Sequence, residues 1–174
     1  MNVGSDARTS SPDRASRLER YRDVRARVAA LLDGESDWIA ALATVVAELH
    51  NAFEHFDFTG FYRVTAPEWL VVGPYQGPHG CLRIPFSRGV CGAAARTRET
   101  QRVDRVSERA DHIACSSSTQ SELVVPVLAP DGSMLAVLDV DSDDEAAFTD
   151  VDQSELEALC RDLAAQFPRG EGHR

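Results

Sequence analysis

The stretch "SELVVPVLAPDGSMLAVLDVDS", residues 121–142, contains two apolar segments that are separated by a short polar one. The polar segment includes Asp131 and Gly132, a dipeptide that is typical of a tight turn between antiparallel strands. We therefore interpret this stretch as a β-hairpin. If these two residues alone form the turn, counting outward places Glu122 opposite Asp141, and a shift of one residue would change that pairing.

Helices are predicted at both ends of the chain, with further strands between them. The first helix is expected from Arg17 to Gly34, and the second over 36–53 with Ser36 or Asp37 as its cap. A third is expected over 87–99 with Ser87 as its cap, and a fourth over 149–167, starting at Thr149 or Asp150. The remaining strands are expected at 56–64, 69–75, 79–86 and 100–104. This order predicts an α+β fold: a central, mostly antiparallel sheet with the N- and C-terminal helices packed on one face. The other face and its loops would then be free for a site.

The composition suits one globular domain and excludes several classes of function. The 174 residues predict one domain over 17–168, a disordered tail over 1–16 and a short tail over 169–174. A net charge of −10 argues against nucleic acid as a partner. All 18 basic residues are arginine, which excludes a Schiff-base or phosphate-binding lysine.

Because no segment is typical of a membrane span or a signal peptide, we expect a cytoplasmic protein with reduced cysteines.

Three of the four cysteines lie in or beside connections that are rich in glycine or serine. Cys160 instead shares the spacing of the leucines in the last helix, which indicates a buried apolar residue. For Cys81, Cys91 and Cys115, three interpretations remain open: unrelated buried thiols, a zinc site, or redox chemistry with one attacking and one or two resolving thiols. The zinc site would draw on His79, Cys81, Cys91, His112 and Cys115, whose spacings match no standard zinc finger.

Three carboxylates are predicted to converge on one face of the sheet. Asp139 and Asp141 are two residues apart on a strand, so both side chains point to the same side. The hairpin register places Glu122 opposite Asp141, and directly opposed residues share a face. A polar outer face would also explain the aspartate pair. The convergence of three acids beside the loop that carries Cys115 is what favours a functional site.

The segments "GPYQGPHGCLRIPFSRGVCGAAARTRETQRVDRV", "HIACSSSTQSELVVPV" and "AVLDVDS" resemble the free methionine-(R)-sulfoxide reductases, which are single GAF-domain enzymes. The resemblance extends from about Tyr21 to the final helix, and the three cysteines have the family's spacings of ten and then twenty-four residues. It implies a GAF-like fold, reduction of free L-methionine (R)-S-oxide to L-methionine, thioredoxin as the reductant, a homodimer, and no metal or other cofactor.

The resemblance also implies a role for each candidate residue. Cys115 would be the catalytic nucleophile, Cys81 the main resolving cysteine, and Cys91 a further thiol able to take part in disulfide exchange. The substrate-binding acids would be Glu122, Asp139 and Asp141, with Tyr62 and Phe58 lining the pocket. Phe58 stands where the family typically has tryptophan, which keeps an apolar wall but removes an indole N–H.

The chemistry explains why these residue types would occur together. A thiolate attacks the sulfoxide sulfur while an acid protonates the departing oxygen, and Glu122 is the candidate acid. We expect its pKa to be raised, because two other carboxylates lie beside it. Asp139 and Asp141 would bind the substrate's α-ammonium group. The alternative is a non-catalytic GAF module that senses a small ligand, although such a module needs no triad of loop cysteines.

Overall fold

The computed structural model describes residues 11–109 and 117–169, and within these ranges the chain forms four α-helices, a single 3-10 turn (Val106–Glu108) and six strands. The helices are α1 (Ser11–Leu31), α2 (Trp38–Ala52), α3 (Gly89–Thr97) and α4 (Asp150–Gln166). The strands are β1 (Phe58–Ala66), β2 (Trp69–Gln76), β3 (Arg83–Pro85), β4 (Gln101–Val103), β5 (Ser121–Leu128) and β6 (Met134–Ser142). They form one sheet of order β3-β2-β1-β6-β5-β4, in which every described pair is antiparallel. The predicted α+β class is confirmed.

The large apolar core lies on one face of the sheet, beneath α1, α2 and α4. Side chains that alternate along the central strands point into it, as a half-covered antiparallel sheet requires. The sheet contributes Phe61, Leu123, Val125, Val127, Ala136, Leu138 and Val140 to this core. The opposite face carries α3 and a smaller apolar cluster, which includes Phe58, Tyr62, Ile84, Val90, Cys91, Val124 and Val137. The prediction that the terminal helices share one face is therefore confirmed.

The turn between β5 and β6 is longer than predicted. The Gly132 N–H donates to the Ala129 carbonyl at 2.8 Å, and the Ala129 N–H donates to the Ser133 carbonyl at 2.9 Å. Three residues rather than two therefore lie between the closing pair, and Gly132 has a φ of 83°, which glycine adopts without strain. This is the three-residue hairpin loop that ends in a left-handed residue.

A bulge next to this turn restores the predicted register. Leu128 pairs with Met134, but the next pair is Val127 with Ala136, so one residue of β6 has no opposite partner. The extra residue in the turn and the extra residue in the bulge compensate each other. Glu122 consequently lies opposite Asp141, and that prediction is confirmed.

Two predicted helix starts are wrong. Helix α1 begins at Ser11 rather than Arg17, with Pro12 in the first turn, where the missing N–H costs nothing. Arg17 then binds the fully buried carboxylate of Asp152 at 2.5 Å, which connects α1 to α4. The expected cap Ser87 lies too early in the chain, because α3 begins after Arg88 and has no side-chain cap. The predicted cap of α2 is confirmed as Asp37, and α4 begins at Asp150, as predicted, with Thr149 as its N-cap.

Candidate active site

A cavity on the α3 side of the sheet brings most of the predicted site residues together. We call it the acid cavity; it contains about 500 Å³ of space not filled by atoms, part of it open to solvent. Strands β1, β5 and β6, the start of α3 and residues 78–80 form its walls. The described lining residues are Phe58, Tyr62, Pro78, His79, Gly80, Ile84, Gly89, Val90, Cys91, Thr119, Glu122, Asp139 and Asp141.

Three buried carboxylates occupy the sheet side of the acid cavity. Glu122, Asp139 and Asp141 are 8%, 6% and 9% exposed. Asp141 lies opposite Glu122 on β5, and Asp139 lies opposite Gly60 on β1. The Thr119 hydroxyl lies 3.5 Å from Asp141 Oδ2 and donates a hydrogen bond to it. No local pattern indicates Thr119 as a site residue, because this contact depends on how the chain enters β5.

Burial keeps a proton on the aspartate pair. It raises the pKa of Asp139 to about 8, and the charge of Glu122 contributes to that shift. The pKa of Asp141 is raised well above its ordinary value, first by burial and then by Asp139. The two aspartates are hydrogen-bonded to each other, so the pair holds a shared proton near neutral pH. Within the described ranges, Oδ1 of Asp139 and Oδ1 of Asp141 have no hydrogen-bond partner.

The aromatic wall depends on a glycine that the sequence analysis did not single out. Phe58 stacks on Tyr75 with ring centroids 5.6 Å apart. A Cβ atom at Gly60 would lie 2.8 Å from Cζ of Phe58 and 2.7 Å from Cβ of Tyr75. The Phe58 ring can therefore lie over β1 only because position 60 has no side chain. Strand alternation was an available signal, since Phe58, Gly60 and Tyr62 share one face.

Tyr62 connects the sheet to the segment that carries Cys81. The side chain is 1% exposed, and its hydroxyl lies against the residue before Cys81, because a Cβ atom at Gly80 would lie 2.5 Å from that oxygen. Burial and the nearby aspartates raise the pKa of this phenol above its ordinary value, so it stays protonated. Tyr62 thus fixes the position of Cys81 relative to the acid cavity.

The cysteines differ in oxidation state and surroundings. Cys81 is half-buried and forms a disulfide bond. Cys91 is a free thiol that lines the acid cavity and is 6% exposed. Cys160 is a free thiol on the core-facing side of α4, which confirms the prediction that it is a buried apolar residue. Cys115 lies outside the described residues, so its predicted role as the nucleophile stays a prediction.

The predicted zinc site lacks one of its candidate ligands when Cys81 is oxidised. Cys81 cannot ligate zinc as a thiolate while it is part of a disulfide. The residues that the structure describes include no group of three or more histidine, cysteine, aspartate or glutamate side chains placed to hold a metal ion. His112, another predicted ligand, also lies outside the described ranges.

The start of α3 faces the acid cavity. Gly89, Val90 and Cys91 line the cavity, and the N-cap residue Arg88 provides no side-chain hydrogen bond to the helix. The first N–H groups of a helix have no partner within the helix and carry a partial positive charge. The cavity therefore has an acidic wall on the sheet and a partial positive charge at the start of α3.

The class of protein follows from this fold and from a family comparison. The model of the GAF domain family matches residues 35–165, which is most of the chain. The six-stranded antiparallel sheet with helices on both faces is the architecture of solved GAF domains; one such structure superposes with a TM-score of 0.83 at 31% identity, covering 92% of this chain and 99% of that chain.

Individual relatives indicate which group of GAF-domain proteins this chain belongs to. The free methionine-R-sulfoxide reductase of Saccharomyces cerevisiae is 39% identical over 137 residues, 75% of this chain and 76% of that protein. The protein of the same name from Escherichia coli is 36% identical over 148 residues, which cover 85% of this chain and 88% of that protein. The solved structure of free methionine-R-sulfoxide reductase from Neisseria meningitidis, in complex with its substrate, superposes on this chain with a TM-score of 0.81 at 44% identity. The match covers 86% of this chain and 89% of that chain. The chain belongs to the GAF-domain family of free methionine-R-sulfoxide reductases.

A membrane-spanning helix is not found in the described part of the chain. None of the helices in those ranges combines the length and the apolar composition that crossing a bilayer requires.

Proposed function

We propose that the protein reduces free L-methionine (R)-S-oxide to L-methionine in the acid cavity. The observation that carries this proposal is a cavity with buried acids on one wall, uncapped helix N–H groups on another and aromatic rings on a third. Such a cavity suits a small zwitterion with a short apolar side chain. The relatives named as reductases of free methionine-R-sulfoxide support the same substrate.

The aspartate pair would recognise the α-ammonium group. Each of Asp139 and Asp141 has a buried carboxylate oxygen without a hydrogen-bond partner in the described structure, and an ammonium group offers three donors. Charge-assisted hydrogen bonds to both residues would favour ionisation of the shared carboxyl and release its proton. A methionine within a polypeptide has an amide in place of the ammonium group and would leave these acids unpaired.

The start of α3 would bind the α-carboxylate. Anions are stabilised at helix N-termini by free N–H groups and by the helix dipole. Gly89 and Val90 line the acid cavity at this position, with no side-chain cap competing for their N–H groups. The two charged groups of the amino acid would then be held at opposite walls, with the sulfoxide directed toward the cysteines.

The reaction requires a thiolate and a proton donor. The Cys115 thiolate would attack the sulfoxide sulfur while Glu122 protonates the sulfoxide oxygen. The resulting adduct has a bond between the Cys115 sulfur and the substrate sulfur. Its collapse breaks this bond and the bond between the substrate sulfur and the OH group, transfers that OH to Cys115 as a sulfenic acid, and releases methionine. The Cys81 thiol then attacks the sulfenic acid, and water leaves as the disulfide forms. Overall, two electrons pass from the cysteine pair to the sulfoxide.

The oxidation state of the cysteines supports this assignment. Cys81 is disulfide-bonded, whereas Cys91 and Cys160 are free thiols. The chain has four cysteines in all, which supports Cys115 as the partner of Cys81. A dithiol protein such as thioredoxin would reduce this disulfide and regenerate the enzyme. The cycle needs a reducing compartment, which favours the cytoplasm. The homodimer implied by the family resemblance is a prediction for size measurements in solution.

The direct test is methionine formation from racemic free methionine sulfoxide with thioredoxin and its reductase. We expect the reaction to stop at half conversion, since one sulfur epimer is used, and Cys115→Ser to abolish it. Full activity of Cys115→Ser would remove Cys115 as the nucleophile. Binding of methionine sulfoxide without turnover by the intact chain would favour a ligand-sensing module instead.

A further inference from the structure

Exposed side chains flank the disulfide-bonded Cys81 on both sides along the chain. Leu82 is 75% exposed, more than any other large apolar side chain of the described residues. Pro78, His79 and Arg83 are also exposed. Each of these four residues is within three positions of Cys81, so its Cα atom lies within about 11 Å of the Cys81 Cα. We call these four residues the Cys81 patch.

The backbone of the Cys81 patch is held to the sheet on both sides of the disulfide. After Cys81, the Val72 N–H donates to the Leu82 carbonyl at 3.1 Å. Before Cys81, a Cβ atom at Gly80 would lie 2.5 Å from the Tyr62 hydroxyl oxygen, so the chain packs closely there as well. Leu82 is therefore exposed on a backbone that is fixed to the sheet.

The Cys81 patch lies in a basic part of an acidic chain. Aspartate and glutamate make up 28 of the 174 residues, yet residues 69–98 contain neither and include four arginines. Arg83 belongs to the patch, and Arg88 is exposed beside the acid cavity, whose lining includes the next residue. Among the described residues, neither arginine is part of an ion pair. The surface beside Cys81 therefore offers positive charge to an acidic partner.

We propose that the Cys81 patch is the surface on which a dithiol protein docks to reduce the disulfide at Cys81. The inference rests on the proposed function, in which this disulfide forms in every cycle and must be reduced. The partner carries apolar and acidic residues around its reactive thiol, which cover Leu82 and pair with Arg83. A single exposed leucine is common on protein surfaces, but this one adjoins a sulfur that the reductant must reach.

Docking at this surface selects the Cys81 sulfur for attack. A thiolate of the partner bonds to that sulfur, the disulfide breaks, and the other cysteine of the disulfide leaves as a thiolate and takes up a proton. The second thiol of the partner then attacks the mixed disulfide and releases Cys81. Two electrons and two protons thus pass from the dithiol to the two cysteines of the enzyme, and the partner keeps the disulfide.

Two substitutions test the apolar and the charged contact separately. Leu82→Ser removes the apolar side chain, and Arg83→Glu reverses the charge; both side chains are exposed, so the fold should be kept. Leu31→Ser and Arg22→Glu are the matched controls, because both residues are exposed on α1. Helix α1 packs on the face of the sheet opposite the acid cavity.

The rate of disulfide reduction is measured by counting free thiols over time, without methionine sulfoxide. With thioredoxin, each patch variant should have a second-order rate constant about fivefold to tenfold below that of the parent, because it loses an apolar contact or a favourable charge. With dithiothreitol, which is too small to need a docking surface, the variants should stay within about twofold of the parent. Both controls should match the parent with either reductant.

Three results would overturn the proposal. The first is a thioredoxin rate constant equal to that of the parent in both patch variants. The second is an equal loss of rate with dithiothreitol, which would mean that the substitutions disturb the disulfide itself. The third is a change of oligomeric state in Leu82→Ser, measured by size-exclusion chromatography, which would assign the patch to a second copy of the chain.

Trapping the intermediate identifies the attacked sulfur. A thioredoxin whose second active-site cysteine is replaced by serine should stop at the mixed disulfide, and peptide mapping by mass spectrometry should find that bond at Cys81. A mixed disulfide at the other cysteine would contradict the proposal. None of these readouts requires turnover of a sulfoxide. Methionine formation driven by dithiothreitol tests the proposed function separately, so a failure of either one can be recognised.

Discussion

Glu122 on β5 lies directly opposite Asp141 on β6, and the two side chains are 8% and 9% exposed. Like charges at directly opposed positions of a sheet are destabilising, and burial adds the cost of removing them from water. Asp139 on the same face adds a third acid, and no arginine is among the described residues that line the acid cavity. The fold therefore keeps a cluster that lowers its own stability and that a cationic ligand group would stabilise.

Asp139→Asn should stabilise the fold, and more so at high pH. The carboxyl has a pKa of about 8 when folded, against about 4 in an unfolded chain, so the folded state binds more protons between these values. Stability of the parent must then fall as the pH rises from about 4 to about 8, because the ionised form is disfavoured only in the folded state. Asparagine cannot ionise, and we expect it to add about 1–3 kcal/mol to the free energy of unfolding at pH 8 and less at pH 5.

Chemical denaturation at both pH values measures this effect. Asp23→Asn is a suitable control, because Asp23 is an exposed carboxylate on α1. It should leave the pH dependence of the parent unaltered. A gain from Asp139→Asn that is equal at pH 5 and pH 8 would contradict the buried-proton explanation. The variant should also bind methionine sulfoxide more weakly, which is the usual relation between stability and function at a binding site.

Ligand binding should release a proton. Near pH 7 the aspartate pair holds a shared proton, and an ammonium group placed beside it favours the ionised form. Isothermal titration of the reduced protein with methionine, in two buffers of different ionisation enthalpy, should give a buffer-dependent heat equivalent to about 0.5–1 proton released. Affinity should correspondingly increase as the pH rises toward about 8. Buffer-independent heats, or proton uptake, would contradict this linkage.

Gly60→Ala should disturb the aromatic wall. The new methyl group would overlap Cζ of Phe58 and Cβ of Tyr75, so the Phe58 ring must move into the acid cavity or the strand must shift. Overpacking of this kind typically costs about 1–3 kcal/mol of stability. We expect kcat/KM to fall by more than tenfold, roughly the effect of about 1.4 kcal/mol. Unchanged kinetics together with an unchanged melting temperature would show that Phe58 does not define the wall.

Cys81→Ser should stop the cycle after one turnover. In the proposed mechanism Cys81 is the resolving thiol, so its loss should leave the sulfenic acid on Cys115 and no disulfide for thioredoxin to reduce. Each chain should then release about one methionine, and dimedone should label Cys115. Cys160→Ala should continue to turn over, since Cys160 packs in the core beneath α4. Sustained thioredoxin-dependent turnover by Cys81→Ser would mean that another thiol resolves the intermediate.

The sequence predicts those features that depend on local pattern. Alternating apolar residues and the Asp131-Gly132 dipeptide indicate the β5–β6 hairpin, and two aspartates two residues apart must share a face of a strand. The pairing of Glu122 with Asp141 was predicted from a turn that is one residue too short, and the nearby bulge corrects the count. Periodicity alone does not reveal such a bulge.

The features that depend on tertiary contacts were not predicted. The side chain of Ser87 does not cap α3, because the N-cap is the next residue, Arg88. Nothing local to the "SRGV" segment indicates this later start, or that the start of the helix faces three acids on distant strands. The contact of Thr119 with Asp141 and the packing of Phe58 and Tyr75 over Gly60 likewise arise only when separate strands meet. The role of Cys115 is implied by the family resemblance rather than by its spacing, and this residue lies outside the described ranges.

The most direct measurement compares free methionine (R)-S-oxide with its N-acetyl derivative as substrates. Acetylation removes the positive charge that the buried aspartates are proposed to bind, while the sulfoxide and the carboxylate stay the same. We predict that kcat/KM falls by at least about a thousandfold, because the derivative would leave buried acids unpaired. Comparable kcat/KM values for the two compounds would show that the acid cluster does not select the free amino acid.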